Sequence, residues 1–349
     1  MTAHLKVYNE STLKRICSNR AGEQKAWQSM ALLDANVNIQ QALTDAAQFG
    51  MRFVLLGVCE DIGPRANLGK GGAQHAWPAF LQHFLNQPHN HAIAMQKVLL
   101  LGEVNLDDLM EQAHPLDNQN PLDLDQLRQL CAEIDVRVEA ILSMIFKAGL
   151  EPIIIGGGHN NCLGIIRSLA KYKNSAINAI NLDPHADFRE CEGRHSGNGF
   201  HYAYQEQHLN SYHVIGLHEL KNNQQIFNAM QSAKFSFTSY QAINVRRETS
   251  LTEATNNALN AFDNAPLGIE VDLDSLTNMP ASAFNYCGFD VSDGEHYVYL
   301  AASHHHSAYL HLCEAAPSQH PHSLAAGKLQ CGQVISALVN TYLQTKQKI

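Results

Sequence analysis

Asp183, His185 and Asp187 alternate along Asn181-Leu182-Asp183-Pro184-His185-Ala186-Asp187-Phe188-Arg189. In extended chain, residues i, i+2 and i+4 point to one face, so three groups able to hold a metal are expected to project together. They follow the apolar-rich run Ala176-Ile177-Asn178-Ala179-Ile180, which reads as a buried strand reaching solvent at its carboxyl end. Two other stretches carry the same chemistry. His159 comes after Ile153-Ile154-Ile155 and three glycines, and Asp272-Leu273-Asp274 comes after Leu267-Gly268-Ile269-Glu270-Val271. A lone His after glycines is commonly structural, and an isolated Asp-x-Asp is commonly a turn or cap. Asp-x-His-x-Asp is much rarer by chance, and four acids at the ends of core strands would repel each other without cations. Pooled, the three stretches offer four carboxylates and two imidazoles, more than one tetrahedral zinc takes. Two divalent ions roughly 3.5–4 Å apart, sharing carboxylates, fit better, and they would acidify water into a nucleophile at neutral pH. Oxygen-rich ligation with some imidazole makes Mn2+ the leading ion, with Zn2+, Fe2+, Ni2+ and Co2+ open.

The elements that must position these groups alternate along the chain. Continuous apolar runs at 52–58, 98–102, 153–155, 176–180, 214–217, 267–272 and 308–314 read as buried strands. Helical periodicity covers 76–85, 122–150, 163–172, 223–231, 253–261 and 330–345. This alternation predicts an α/β domain with a mainly parallel sheet, and ligands gather at the carboxyl edge of such sheets. Residues 1–50 carry helical character at 12–17 and 25–33 and are expected to form an N-terminal helical extension packed on a core domain of 51–349. The Gly-rich loop at 60–73 lacks the P-loop order, with no Ser or Thr after Lys70. It reads instead as substrate-facing, through Arg65 and Asn67.

Composition narrows the partners. With 24 basic and 33 acidic residues the formal charge is −9, which argues against nucleic acid. The eight cysteines show no CxxC pair and read as reduced thiols. No apolar run reaches the ~18–20 residues of a membrane span, and no signal-peptide pattern opens the chain, so no membrane partner and a cytoplasmic location are expected.

The sequence resembles the ureohydrolase family of arginase, agmatinase, formimidoylglutamase and guanidino-acid hydrolases. The family signatures GGxH, DAHxD and SxDxD correspond to positions 156–159, 183–187 and 270–274, and the likeness runs from about Val54 to the C-terminus. It implies a three-layer αβα sandwich and two Mn2+ ions held by His159, Asp183, His185, Asp187, Asp272 and Asp274. The pattern Glu60-Asp61-x-Gly63-x-Arg65-x-Asn67-x-Gly69-x-x-Gly72-Ala73 is similar to the loop after the first strand, especially in formimidoylglutamase-like members. Glu314 stands where arginase-type enzymes carry a glutamate that grips the substrate amidinium. Ser196-Gly197-Asn198 resembles the substrate-side loop, where arginases place a proton-shuttle His just after Asn; here His195 precedes it and His201 follows it, and the resemblance leaves either one as the candidate shuttle. Three departures stand out: Asn160 after the motif His, Glu270 where Ser is common, and Thr277-Asn278 in place of Asp-Pro. The family also implies a homo-oligomer, trimeric or hexameric.

The expected function is hydrolysis of an amidine or guanidine C–N bond. Arg65, Asn67, Arg189, Arg194 and Asn198 are expected to hold the distal end of a small-molecule substrate. An Arg at 189, just past the last motif ligand, suits a carboxylate and favours N-formimidoyl-L-glutamate, giving L-glutamate and formamide. The rivals are agmatinase, arginase or guanidino-acid hydrolase activity, hydrolysis of an amide, and a non-catalytic metal-bound scaffold of the same fold.

Overall fold

In the computed structural model, which describes residues 4–33 and 38–348, ten strands join in one sheet. They are β1 (Leu5–Val7), β2 (Ala31–Leu32), β3 (Phe53–Val58), β4 (Val98–Val104), β5 (Glu151–Ile155), β6 (Ile177–Leu182), β7 (Leu209–Leu217), β8 (Ser236–Ser239), β9 (Leu267–Asp272) and β10 (Ser307–Cys313). Their order is β1-β4-β3-β5-β10-β9-β6-β7-β8, with β2 also on β4. Every pairing is parallel except β1 with β4.

The apolar runs do not alternate with polar residues because both sheet faces are covered. Val54 and Leu56 enter one core, with helices Ile39–Gln48, Pro121–Lys147 and Cys162–Lys173 packed on it. Phe53 and Leu55 enter the other, beneath Ala76–Phe84, Leu251–Ala261, Val291–Ala302 and Leu324–Lys348. The result is the expected αβα sandwich. Helix Pro121–Lys147 starts where sequence rules place a start: Asn120 accepts from Leu122 N at 3.0 Å and Pro121 takes the first position. Its inward face is Leu127, Leu130, Ile134, Val138, Ile141, Leu142 and Ile145.

The N-terminal segment differs from the helical expectation. Helices do form at Glu10–Ile16 and Ile39–Gln48, but 25–33 holds only a 3-10 turn, Ala26–Ser29, followed by β2. Both short strands lie on the outer edge of β4: β2 pairs Leu99 and Leu100, and β1 pairs Gly102, Glu103 and Val104. An exposed strand edge carries unpaired backbone groups, and two pieces of extended chain cover this one in succession. Positions 1–3, 34–37 and 349, within the expected extension and at the end of the core domain, lie outside the described residues. Among the described residues, no helix is long and apolar enough to cross a membrane.

Candidate metal centre

Strands β5, β10, β9 and β6 are neighbours, so the segments leaving their carboxyl ends open side by side. His159 leaves β5 through a glycine turn in which Gly157 has φ +71, and a Cβ there would lie 2.6 Å from Glu60 Oε1. Glu60, buried after β3, accepts from Gly158 N at 2.6 Å, Gly63 N at 2.9 Å and Asn161 Nδ2 at 2.8 Å. It ties the loops after β3 and β5 together.

The remaining groups converge through turns, which corrects the extended-face expectation. β6 stops at Leu182, Asp183 Oδ1 accepts from His185 N at 2.6 Å, and Asp187 has φ +45. Likewise Asp272 Oδ1 accepts from Asp274 N at 2.8 Å, capping the 3-10 turn Leu273–Ser275. Asn222, beyond β7, braces the first turn by accepting from Ala186 N at 2.9 Å and donating to Pro184 O at 3.0 Å.

The six side chains form two clusters with Asp183 in both: His159, Asp183, Asp187 and Asp272, and Asp183, His185 and Asp274. His159 Nδ1 lies 2.9 Å from Asp187, 3.2 Å from Asp183 and 3.4 Å from Asp272. His185 Nδ1 lies 3.3 Å from Asp274 and 3.5 Å from Asp183. Both ring nitrogens of His159 and Oδ1 of Asp274 are buried without a hydrogen-bond partner, which a native interior rarely tolerates. Burial, then repulsion from Asp274 and Asp183, pushes the Asp272 carboxyl well above its usual range. Burial and Asp183 raise Asp187 as well. Orphaned imidazole nitrogens amid crowded acids fit divalent cations as the missing partners.

Residues 51–338 match the family model described as Arginase family. The chain belongs to the arginase family. As a member it is a hydrolase acting on C–N bonds of linear amidines. A formimidoylglutamase of Streptococcus pyogenes is 26% identical over 253 residues, 69% of this chain and 70% of that protein. A crystal structure of Trypanosoma cruzi formiminoglutamase with Mn2+ superposes with TM-score 0.69 at 16% identity, covering 92% of this chain and 99% of that one. The proclavaminate amidino hydrolase of Streptomyces clavuligerus gives TM-score 0.63 at 14% identity, covering 85% and 93%.

In this arginase-family chain a cavity of about 230 Å³ opens onto the cluster, lined by His185, Asp187, Asp272 and Glu314 toward its floor. Glu314 follows β10 with φ +63, and its Oε1 accepts from His159 N at 2.8 Å. Burial pushes its carboxyl up to about 8; the His159 N–H opposes this, and Asp187 and Asp274 add repulsion. Asn67, Arg189, Gly197, Lys221 and Asn222 line the rest of the cavity.

Of the residues expected to hold substrate, only Asn67 and Arg189 line the cavity. Arg65 turns away, donating to Ala113 O and Leu116 O at 2.8 Å each. Arg194 is buried, with Nε 2.7 Å from Asp135 and Nη2 3.0 Å from Asn160 O. Asn198 accepts from Arg194 and donates to Gly193 O at 2.8 Å and Glu190 O at 3.1 Å, so it closes its own loop. These three satisfy buried or half-buried backbone and charge, and the cavity is left to others.

Neither histidine proposed as a proton shuttle reaches the cavity. His195 is fully enclosed, with Nδ1 accepting from Gly197 N at 3.1 Å. Burial, then Arg128, Arg189 and Arg194, pull its pKa down to about 3. His201 stacks on Phe188 with ring centres 4.3 Å apart, and its Nδ1 lies 2.7 Å from Arg189 O. It lines a neighbouring surface groove with Asn223 and Gln225. Sequence reading placed Glu60 in the family-like loop without giving it a role, and it missed Lys221 and Asn222. The signal for the last two was their place just beyond β7, at the same carboxyl edge as the motifs.

Proposed function

We propose that this arginase-family hydrolase holds two Mn2+ ions on His159, Asp183, His185, Asp187, Asp272 and Asp274 and hydrolyses N-formimidoyl-L-glutamate to L-glutamate and formamide. Ions held there supply Lewis acidity and make water nucleophilic at neutral pH. The observation that carries the substrate reading is the charge layout of the cavity. Its floor is acidic, and two cations, Arg189 and Lys221, line it as well. An amidinium on the floor offsets the charge of Glu314, which burial otherwise disfavours. Glu314 is itself held by the His159 N–H, so it can orient a planar amidine for attack. Arg189 offers a planar fork and Lys221 a point charge to a substrate carboxylate, and Asn67 adds a neutral donor. A substrate cationic at one end and carboxylated at the other meets both poles. Agmatine, with a cationic tail, meets repulsion instead.

A panel of amidines and guanidines given to the Mn2+-loaded protein tests this. Formimidoylglutamate should be turned over and agmatine should be a poor substrate. The Arg189→Ala, Lys221→Ala double variant should raise KM for formimidoylglutamate by roughly tenfold or more, the scale of lost charge-assisted bonds. Hydrolysis of agmatine with formimidoylglutamate left intact would overturn the assignment. Turnover that survives in Asp187→Ala would count against the metal site, and no turnover of any substrate would leave the scaffold reading standing.

A further inference from the structure

Glu270 sits on β9 two residues before Asp272 and is wholly buried. Its Oε1 accepts from Tyr309 OH at 2.6 Å, and its Oε2 lies 2.6 Å from His311 Nδ1. Both partners belong to β10, whose register sets His311 directly beside Glu270. The same Oε2 lies 3.5 Å from His159 Nε2, too far for a good hydrogen bond but within ion-pair reach. The imidazole of His159 therefore has two distinct sides. Nδ1 faces Asp183, Asp187 and Asp272, while Nε2 faces Glu270. Cys313 Sγ also lies near the His159 ring, but a carboxylate is a far stronger acceptor than a thiol.

A buried carboxylate costs several kcal/mol unless its lone pairs find donors, and two donors leave acceptor capacity on Oε2 unused. Both ring nitrogens of His159 lack a hydrogen-bond partner, and Nε2 is the one that faces this carboxylate. We propose that Glu270 is a positioning residue that takes the Nε2–H of His159, fixing the tautomer whose Nδ1 lone pair faces the metal cavity. The step is a choice of tautomer with no change in proton count. An imidazole ligand whose second N–H meets a carboxylate is held in orientation and made more basic. Tyr309 and His311 keep the carboxylate facing that ring. This inference rests on the reading of His159 as a metal ligand. A Glu at this position, where the family commonly has Ser, then strengthens one ligand from behind. The alternative role is a purely structural tie between β9 and β10, and that predicts lost stability without a change in cation affinity.

Mn2+ affinity separates the two. It would be measured by competition with a fluorescent chelator for the parent protein, Glu270→Gln, Tyr309→Phe and His159→Ala, beside the melting temperature of each metal-free protein. Glu270→Gln keeps size and removes the carboxylate; Mn2+ binding should weaken roughly 10–100-fold. Tyr309→Phe, which leaves the carboxylate less firmly held, should weaken it by a smaller factor, and it decides the matter if Glu270→Gln does not fold. Parent-like affinity in a folded Glu270→Gln, or in Tyr309→Phe where that variant must decide, overturns the proposal, whatever the melting temperatures. Parent-like affinity in His159→Ala overturns the ligand assignment beneath it. Because binding is read without turnover, an error in the substrate assignment leaves the result intact.

Discussion

At the scale of single residues, His195 illustrates how surroundings decide chemistry. Its folded pKa of about 3 lies below the usual value of 6.5. Between those two pH values the unfolded chain binds the extra proton. The contribution of His195 to stability is therefore whole above pH 6.5 and is lost as pH falls toward 3, at roughly 1.4 kcal/mol per pKa unit. With chelator present, the parent protein should lose more stability between pH 7 and pH 4.5 than His195→Asn does, read from urea midpoints at each pH. Equal losses would mean that the imidazole is not kept neutral by its enclosure. The same residue shows the limit of reading a site from spacing. The acid-His-acid motif was legible because each of its side chains is a metal ligand by type. Arg189, Arg194 and Asn198, all expected to hold substrate, share a loop with His195, but spacing does not tell where a side chain points. Arg194 turns inward because Asp135, 59 residues away in sequence, is buried and needs a counter-charge.

At the scale of elements, the outer edge of β4 was the part least visible beforehand. Strands of two and three residues leave no periodicity to count, and β2 and β1 are such strands. What joins them is a bulge. β3 pairs Leu55 with Leu100 and then Leu56 with Gly102, so Leu101 is an extra residue on β4. Gly102 has φ +133, and a Cβ there would sit 2.0 Å from Lys6 O. The bulge hands the edge from β2 to β1, and Tyr8 N then donates to Leu101 O at 3.0 Å. Glu103 fastens the strap, with Lys6 Nζ at 2.9 Å and Tyr8 OH at 2.6 Å. Gly102→Ala should cost about 1–3 kcal/mol, the scale of a strained backbone, and should release β1. Hydrogen exchange at the Tyr8 amide is the direct reading. An amide as protected as in the parent protein would show that the edge tolerates a side chain there. Longer elements were read well because β3, β5 and β9 carry continuous apolar runs and helix Pro121–Lys147 carries a long periodic face.

At the scale of the whole molecule, alternating strands and helices were enough to predict the layers, whereas the strand order was not legible. Each parallel crossover returns over one face of the sheet, and nothing local in the sequence says how many strands it passes. That hidden order sets β5, β10, β9 and β6 side by side, which turns three separated motifs and Glu314 into one cavity. It also concentrates acids at one sheet edge, so the metal-free fold carries repulsion that bound cations would relieve. Cations that bind the folded chain and not the unfolded one stabilise by mass action, about 2.7 kcal/mol at a hundred times Kd. The melting temperature should therefore climb by several degrees as Mn2+ is added and fall back with excess chelator. Asp183 belongs to both clusters, so Asp183→Ala should abolish most of that climb. Because Asp183→Ala also removes one of the crowded acids, its metal-free form should melt no more than a few degrees below the metal-free parent. A Mn2+ response of parent size in Asp183→Ala, measured by calorimetry, would place the stabilising cations elsewhere on the molecule.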